Sequence, residues 1–214
     1  MRSFKLVISV LIASAILGCS DSEQSSIPLI EENSTVETED FDFEKMMEEF
    51  TNRPILEVLT IEAIDSTEDD DLIQLVFDNL SLKIEDDYEN SHLTISKLSP
   101  GRQAIYAIWL VDIEVNNGGF NQFYFNRQDY FAESAASGFE LIGANEYAEL
   151  MKRANKIYKE QELGERQDGT IEGFSESYED NPLNALDSEF YNISEDLVSL
   201  QVQFIRKNKE QFID

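Results

Sequence analysis

The 214-residue chain has one cysteine, one histidine and only 16 lysines and arginines, against 44 aspartates and glutamates. One cysteine excludes a disulfide framework within the chain. The lone histidine, His92, is expected to be surface decoration rather than a base or a ligand. There is no Gly-x-Ser-x-Gly elbow, no His-Glu-x-x-His metal motif and no phosphate-binding glycine loop, so the commonest hydrolase and nucleotide signatures are missing and no cofactor is implied. The segment "DSTEDDDLIQLV", Asp65 to Val76, begins with calcium-like oxygens. It lacks the glycine and glutamate that an EF-hand loop requires, and reads as a helix N-terminus. The shortage of basic residues leaves a formal net charge of −28. Such a field repels nucleic acids, phosphorylated substrates and acidic lipid heads, and attracts cationic proteins, polyamines or metal ions. Direct nucleic-acid binding is therefore not expected. No apolar run reaches the roughly 20 residues of a membrane-spanning helix, the run from Leu6 to Leu17 being about 12.

That short run is nevertheless informative. Arg2 and Lys5 stand around its start, so residues 1–18 read as a secretory signal peptide. Ile16, Leu17, Gly18 and Cys19 resemble the lipobox of bacterial lipoproteins, with Leu17 departing from the pattern at its second place. The resemblance implies cleavage before Cys19, a diacylglyceryl thioether on its sulfur and a palmitate-type acyl chain on its amino group. Two or three acyl chains hold a protein at a membrane, where one binds only marginally. Ser20 at the next position implies the outer membrane of a bacterial envelope. A lipidated Cys19 leaves no thiol for catalysis. Residues 19–40 are rich in Ser, Thr and acid and read as a disordered tether, holding the folded part of the chain roughly 25 Å from the membrane. Residues 41–214 are long enough for one domain with a real core.

Helical periodicity dominates that domain. Phe43, Met46, Met47 and Phe50 form a short stripe, and Leu72, Val76 and Leu80 a second. Pro54 stands at a plausible first helical position, although the segment after it could be a strand. "YENSHLTISKL" reads as a loop. Ser99 and Pro100 offer a cap and a first-turn proline for a helix reaching about Asn116. This helix is apolar nearly all round from Ala104 to Val111, as buried central helices are. Tyr147, Leu150, Met151, Ala154, Ile157 and Tyr158 form the cleanest stripe in the chain. A last helix opens on Glu195 and Asp196 and closes on Arg206, Lys207 and Lys209, as the macrodipole favours. The fold class is all-α, a compact multi-helix bundle of about seven to nine helices.

Asn116, Asn117, Gly118 and Gly119 interrupt this apolar region just before Phe120, Phe123 and Tyr124, which share one helical face. A helix that reverses inside a core needs a left-handed residue beyond its end, and glycine takes that conformation without a Cβ penalty. The Asn side chains are expected to bond the last free carbonyls, and Gln122 and Asn126 to reach neighbouring loops. A functional alternative is a polar pocket at this corner, built from Glu114, Asn116, Asn117 and Gln122. Asp112 and Glu114 end the apolar helix, where burial raises a carboxyl pKa, and Glu114 is the candidate general base.

The stretch "EVNNGGFNQFYFN", Glu114 to Asn126, resembles the signature of the bacterial DNA-mimic protein family, in its C-terminal domain. "LSPGRQAIYAIWLVDI" before it, "FELIGANEYAELMKRA" with Ile142, Gly143 and Ala144, and the closing "NPLNALDSEFYNISEDLVSLQVQFIRKN" extend the resemblance over Leu72 to Asn208. It implies an all-helical fold. It also implies, for the member that gives the family its name, an acidic surface that occupies the DNA-binding face of a regulator. Three functions stand as expectations. The first is a non-catalytic, membrane-tethered acidic protein that engages a basic protein partner in the envelope, immunity-type proteins included. The second is a hydrolase or small-ligand protein, and the third a DNA-mimic inhibitor.

Overall fold

The computed structural model describes residues 47–48, 51–84, 88, 90–127, 130–166 and 170–214. The signal peptide, Cys19, the tether and, of the first stripe, Phe43, Met46 and Phe50 lie outside them. Among the described residues there are nine α-helices, two short 3-10 turns and no strand. In chain order the helices are α1 Ile61–Ser66, α2 Asp69–Ile84, α3 Ser91–Ile95, α4 Pro100–Arg127, α5 Ala132–Ile142, α6 Asn145–Glu160, α7 Ile171–Glu176, α8 Asn184–Tyr191 and α9 Leu197–Lys207. None of them is long and apolar enough to cross a membrane.

The first arm of α4, residues 100–117, is the axis of the bundle. Ala104, Ile105, Tyr106, Ala107, Ile108, Trp109, Leu110 and Val111 are all buried, so every face of this arm needs a neighbour. Helices α2, α5 and α8 supply them, α6 packs outside α5, and α9 lies on α2. The stripes do what their spacing predicts. Leu72, Val76 and Leu80 bury one side of α2, while Leu150, Met151 and Ala154 bury one side of α6. The α4 start is also as expected, since the Ser99 hydroxyl accepts the Arg102 N–H at 3.3 Å.

Two local expectations need correction. Pro54 opens no helix, because residues 53–56 are irregular and α1 begins only at Ile61. Its cap is Thr60, whose hydroxyl accepts the Ala63 N–H at 3.1 Å. The segment before it is held instead by Asp214. Leu59 N–H reaches Asp214 Oδ2 at 2.9 Å, and Asp214 N–H reaches the Leu59 carbonyl at 3.1 Å. The supposed loop around His92 contains the short helix α3, in which Ser91 and Ile95 are buried. His92 is not mere decoration either: its ring stacks on Tyr130, centroids 4.2 Å apart.

Asp214 also ties this segment to the core. Its Oδ1 accepts Lys83 Nζ at 2.6 Å and Arg102 Nη2 at 2.8 Å. Burial raises the carboxyl pKa, but the hydrogen bonds from Lys83, Leu59 and Arg102 outweigh it and hold the group at about 2.

Candidate functional site

The α4 helix breaks at two residues only. Gly118 has φ −156° and ψ 27°, and Gly119 has φ 73° and ψ −178°. The second combination belongs to a region essentially reserved for glycine, so the left-handed position is Gly119 and neither asparagine. After it a second arm, residues 120–127, sets off in a new direction and buries Phe120, Phe123 and Tyr124. Both glycines also make room. A Cβ on Gly119 would stand 2.7 Å from Asp187 Cγ, and one on Gly118 would stand 2.8 Å from the Tyr178 hydroxyl.

A break in a buried helix frees carbonyls at one end and N–H groups at the other. Two of the freed carbonyls are met by tyrosine hydroxyls from far along the chain. The Tyr191 hydroxyl donates to the Val115 carbonyl at 2.7 Å, and the Tyr178 hydroxyl to the Gly118 carbonyl at 2.8 Å. On the other side Asp187 Oδ1 accepts the Phe120 N–H at 2.8 Å. Burial raises the Asp187 carboxyl pKa, and that hydrogen bond opposes the rise. Tyr178, Asp187 and Tyr191 are 60 to 76 residues from the groups they serve, so no local spacing could have shown them.

The remaining polar residues of the signature divide. Glu114 is buried, 6% exposed, and its Oε2 accepts Gln122 Nε2 at 2.8 Å and Asn126 Nδ2 at 2.7 Å. Gln122 and Asn126 therefore stitch one arm of α4 to the other. Asn121, which no sequence pattern marks out, is buried and donates to the Ser177 hydroxyl at 2.8 Å while accepting from Asn181 at 2.9 Å. Asn116 and Asn117 are exposed. The Asn116 amide bonds back to the Asp112 carbonyl at 2.7 Å and to Asp112 Oδ1 at 2.9 Å.

Asn116 and Asp112 open onto a cavity of about 570 Å³, the size of a ligand pocket. Glu114, Asn117 and Gln122 do not line it. Its walls come from α4, from Tyr147 on α6, from the end of α8 and from the start of α9 and α2. Burial pushes the Asp112 carboxyl up to about 6, against the lowering effect of the Asn116 amide. Tyr147 is pushed up to about 12, first by burial and then by the charges of Asp112, Glu195, Glu146 and Asp196. Glu195 is fixed in place by the N-terminus of α6, accepting the backbone N–H of Asn145 at 3.0 Å and of Glu146 at 2.9 Å. It therefore serves α6 rather than the last helix, to which its place in the sequence assigns it. Asp196 alone caps α9, accepting the Ser199 N–H at 3.0 Å.

No curated protein and no solved structure matches the chain. Residues 96–208 match a family model described as DMP19-like protein. That span is just over half the chain, and it contains the Asn-Asn-Gly-Gly corner with all three of its distant partners. The chain belongs to the DMP19-like protein family.

Proposed function

We propose that the protein is a non-catalytic binding module, anchored to the bacterial envelope through lipid on Cys19, whose acidic surface engages a basic protein partner. The observation that supports it is how the few basic residues are used. Arg53, Lys83, Arg102, Lys152, Arg153, Lys156, Lys159, Arg206 and Lys209 are all ion-paired to carboxylates of the same chain. With 44 acids in total against 16 lysines and arginines, the chain keeps a large negative excess. Fields of this kind speed encounter with cationic partners and select against anionic ones. Glu114 does not line the cavity. Its Oε2 already accepts two amides, which suits an architectural role better than a general base.

The test is crosslinking and pull-down of the lipidated protein from its native envelope at low and high salt. Recovery of one basic partner, lost at high salt, is expected. Salt-insensitive capture, or none, would overturn the reading. Fatty-acid labelling that persists in a Cys19→Ala variant would remove the anchor from it.

Family membership favours a second reading, occupation of a DNA-binding protein's nucleic-acid face by an acidic surface. It requires unprocessed chain in the cytoplasm. Recovery of that form bound to a DNA-binding regulator would support it over the first.

A further inference from the structure

The cavity beside the corner combines features that neither packing nor solubility calls for. Asp112 follows directly on the buried apolar run of α4 from Ala104 to Val111, its carboxyl partly desolvated. Among the described residues, the only side chain donating a hydrogen bond to it is the neutral amide of Asn116. No lysine, arginine or histidine among them lines the cavity. A desolvated carboxylate without a counter-charge lowers stability, and such groups collect where a ligand supplies what is missing. Glu195 adds a second charge, held rigidly by the α6 backbone. Four rings, Trp109, Tyr147, Phe190 and Tyr191, line the same space.

These features narrow the occupant. An anion is repelled. A neutral apolar molecule would leave Asp112 desolvated and unpaired. A bare metal ion needs several converging oxygen or nitrogen ligands, and no group of three or more His, Cys, Asp or Glu side chains among the described residues is placed to hold one. An organic cation satisfies both halves of the lining at once: its charge answers the carboxylates, while its stem and charge both favour aromatic surface.

We infer that this cavity receives a lysine or arginine side chain of the basic partner, its charged head between Asp112 and Glu195 and its stem along the rings of Trp109 and Tyr147. The inference rests on the acidic-partner reading above and names the point at which that partner is gripped. Diffuse acidity attracts any cation, whereas this cavity would select one with a slender apolar stem. A free polyamine shares that chemistry and is the rival source.

Trp109 is the only tryptophan in the chain and lines the cavity, so tryptophan emission has a single source in its wall. The full chain is titrated with a tetralysine peptide, with spermidine and with a tetraglutamate peptide at low salt. Tetralysine is expected to shift Trp109 emission saturably, tetraglutamate to do nothing, and spermidine to bind more weakly than the peptide. Asp112→Asn keeps the hydrogen bond to Asn116 and removes the charge; it should weaken tetralysine binding at least about ten-fold, or about 1.4 kcal/mol. Glu172→Gln, an exposed acid outside the cavity, should change it less than about two-fold. Equal effects of the two substitutions, or no response of Trp109, would overturn the assignment. Spermidine binding tighter than tetralysine would overturn the protein side chain as its occupant. If the Asp112→Asn protein still captures its envelope partner in a salt-sensitive manner, the cavity is excluded while the broader reading stands. Loss of capture by wild type itself would remove both.

Discussion

Asp187 Oδ1 accepts the Phe120 N–H at 2.8 Å, and the same carboxylate fills the space where a Cβ on Gly119 would stand. One side chain from α8 thus caps the second arm of α4 and occupies the space that any side chain at Gly119 would need. The corner is a joint between distant parts of the chain, although it is written in four adjacent residues.

Gly119→Ala should therefore be among the most damaging single substitutions. It meets both the positive φ of 73° and the Asp187 carboxylate, and a loss of at least about 3 kcal/mol in urea unfolding is expected. Gly143→Ala is the control. Its φ is 86°, but a Cβ there has nothing within 4 Å, so only the conformational penalty of about 1–2 kcal/mol applies. Equal losses at the two sites would show that crowding by Asp187 contributes nothing.

Asp187→Ala should cost about 1–2 kcal/mol through the lost cap. It should also relieve part of the Gly119→Ala clash, so the double variant is expected to be more stable than the sum of the two singles by at least about 1 kcal/mol. Strict additivity in a double-mutant cycle would contradict the geometry.

Tyr191→Phe leaves the Val115 carbonyl without its hydroxyl donor and should lower stability by about 1–3 kcal/mol. Tyr130→Phe, whose exposed side chain stacks on His92, should change it by less than about 0.5 kcal/mol. Thermal denaturation of both variants in one buffer compares them directly.

Asp112 gives a pH signature. Its folded-state pKa of about 6 lies above the ordinary value of 3.8, so the folded protein holds this proton more tightly. The sign is that of a destabilising charge: its contribution is absent below about pH 4, and stability falls as pH rises through 4 to 6. Asp112→Asn removes the charge. It should be the more stable protein at pH 8, by up to about 3 kcal/mol, and level with wild type at pH 4. A difference between the two proteins that stayed constant from pH 4 to 8 would refute the shift.

Asp214 shows the opposite sign. Its pKa is lowered from 3.8 to about 2, so its contribution is complete above about pH 4 and fades as pH falls towards 2. Partial exposure discounts the effect. Asp214→Asn should lose about 1–2 kcal/mol at pH 7 and less at pH 2, as read from urea midpoints.

The sequence alone carried the helical class, the buried character of the first α4 arm, the stripes of α2 and α6, and the place where the backbone must turn. Each is a matter of local periodicity or of a glycine's freedom, and neighbours along the chain record both. It did not carry what completes the turn or opens the cavity. Tyr178, Asp187 and Tyr191 are ordinary members of an acidic, Tyr-containing stretch until folding brings them to carbonyls and an N–H of α4. Asp112 is one acid among 44, distinguished only once Tyr147, Glu195 and the end of α8 gather around it. Hydrogen-bond satisfaction and desolvation depend on distance in space, and for these residues that distance is set only when α8 packs on α4 and α6 and α9 close around them.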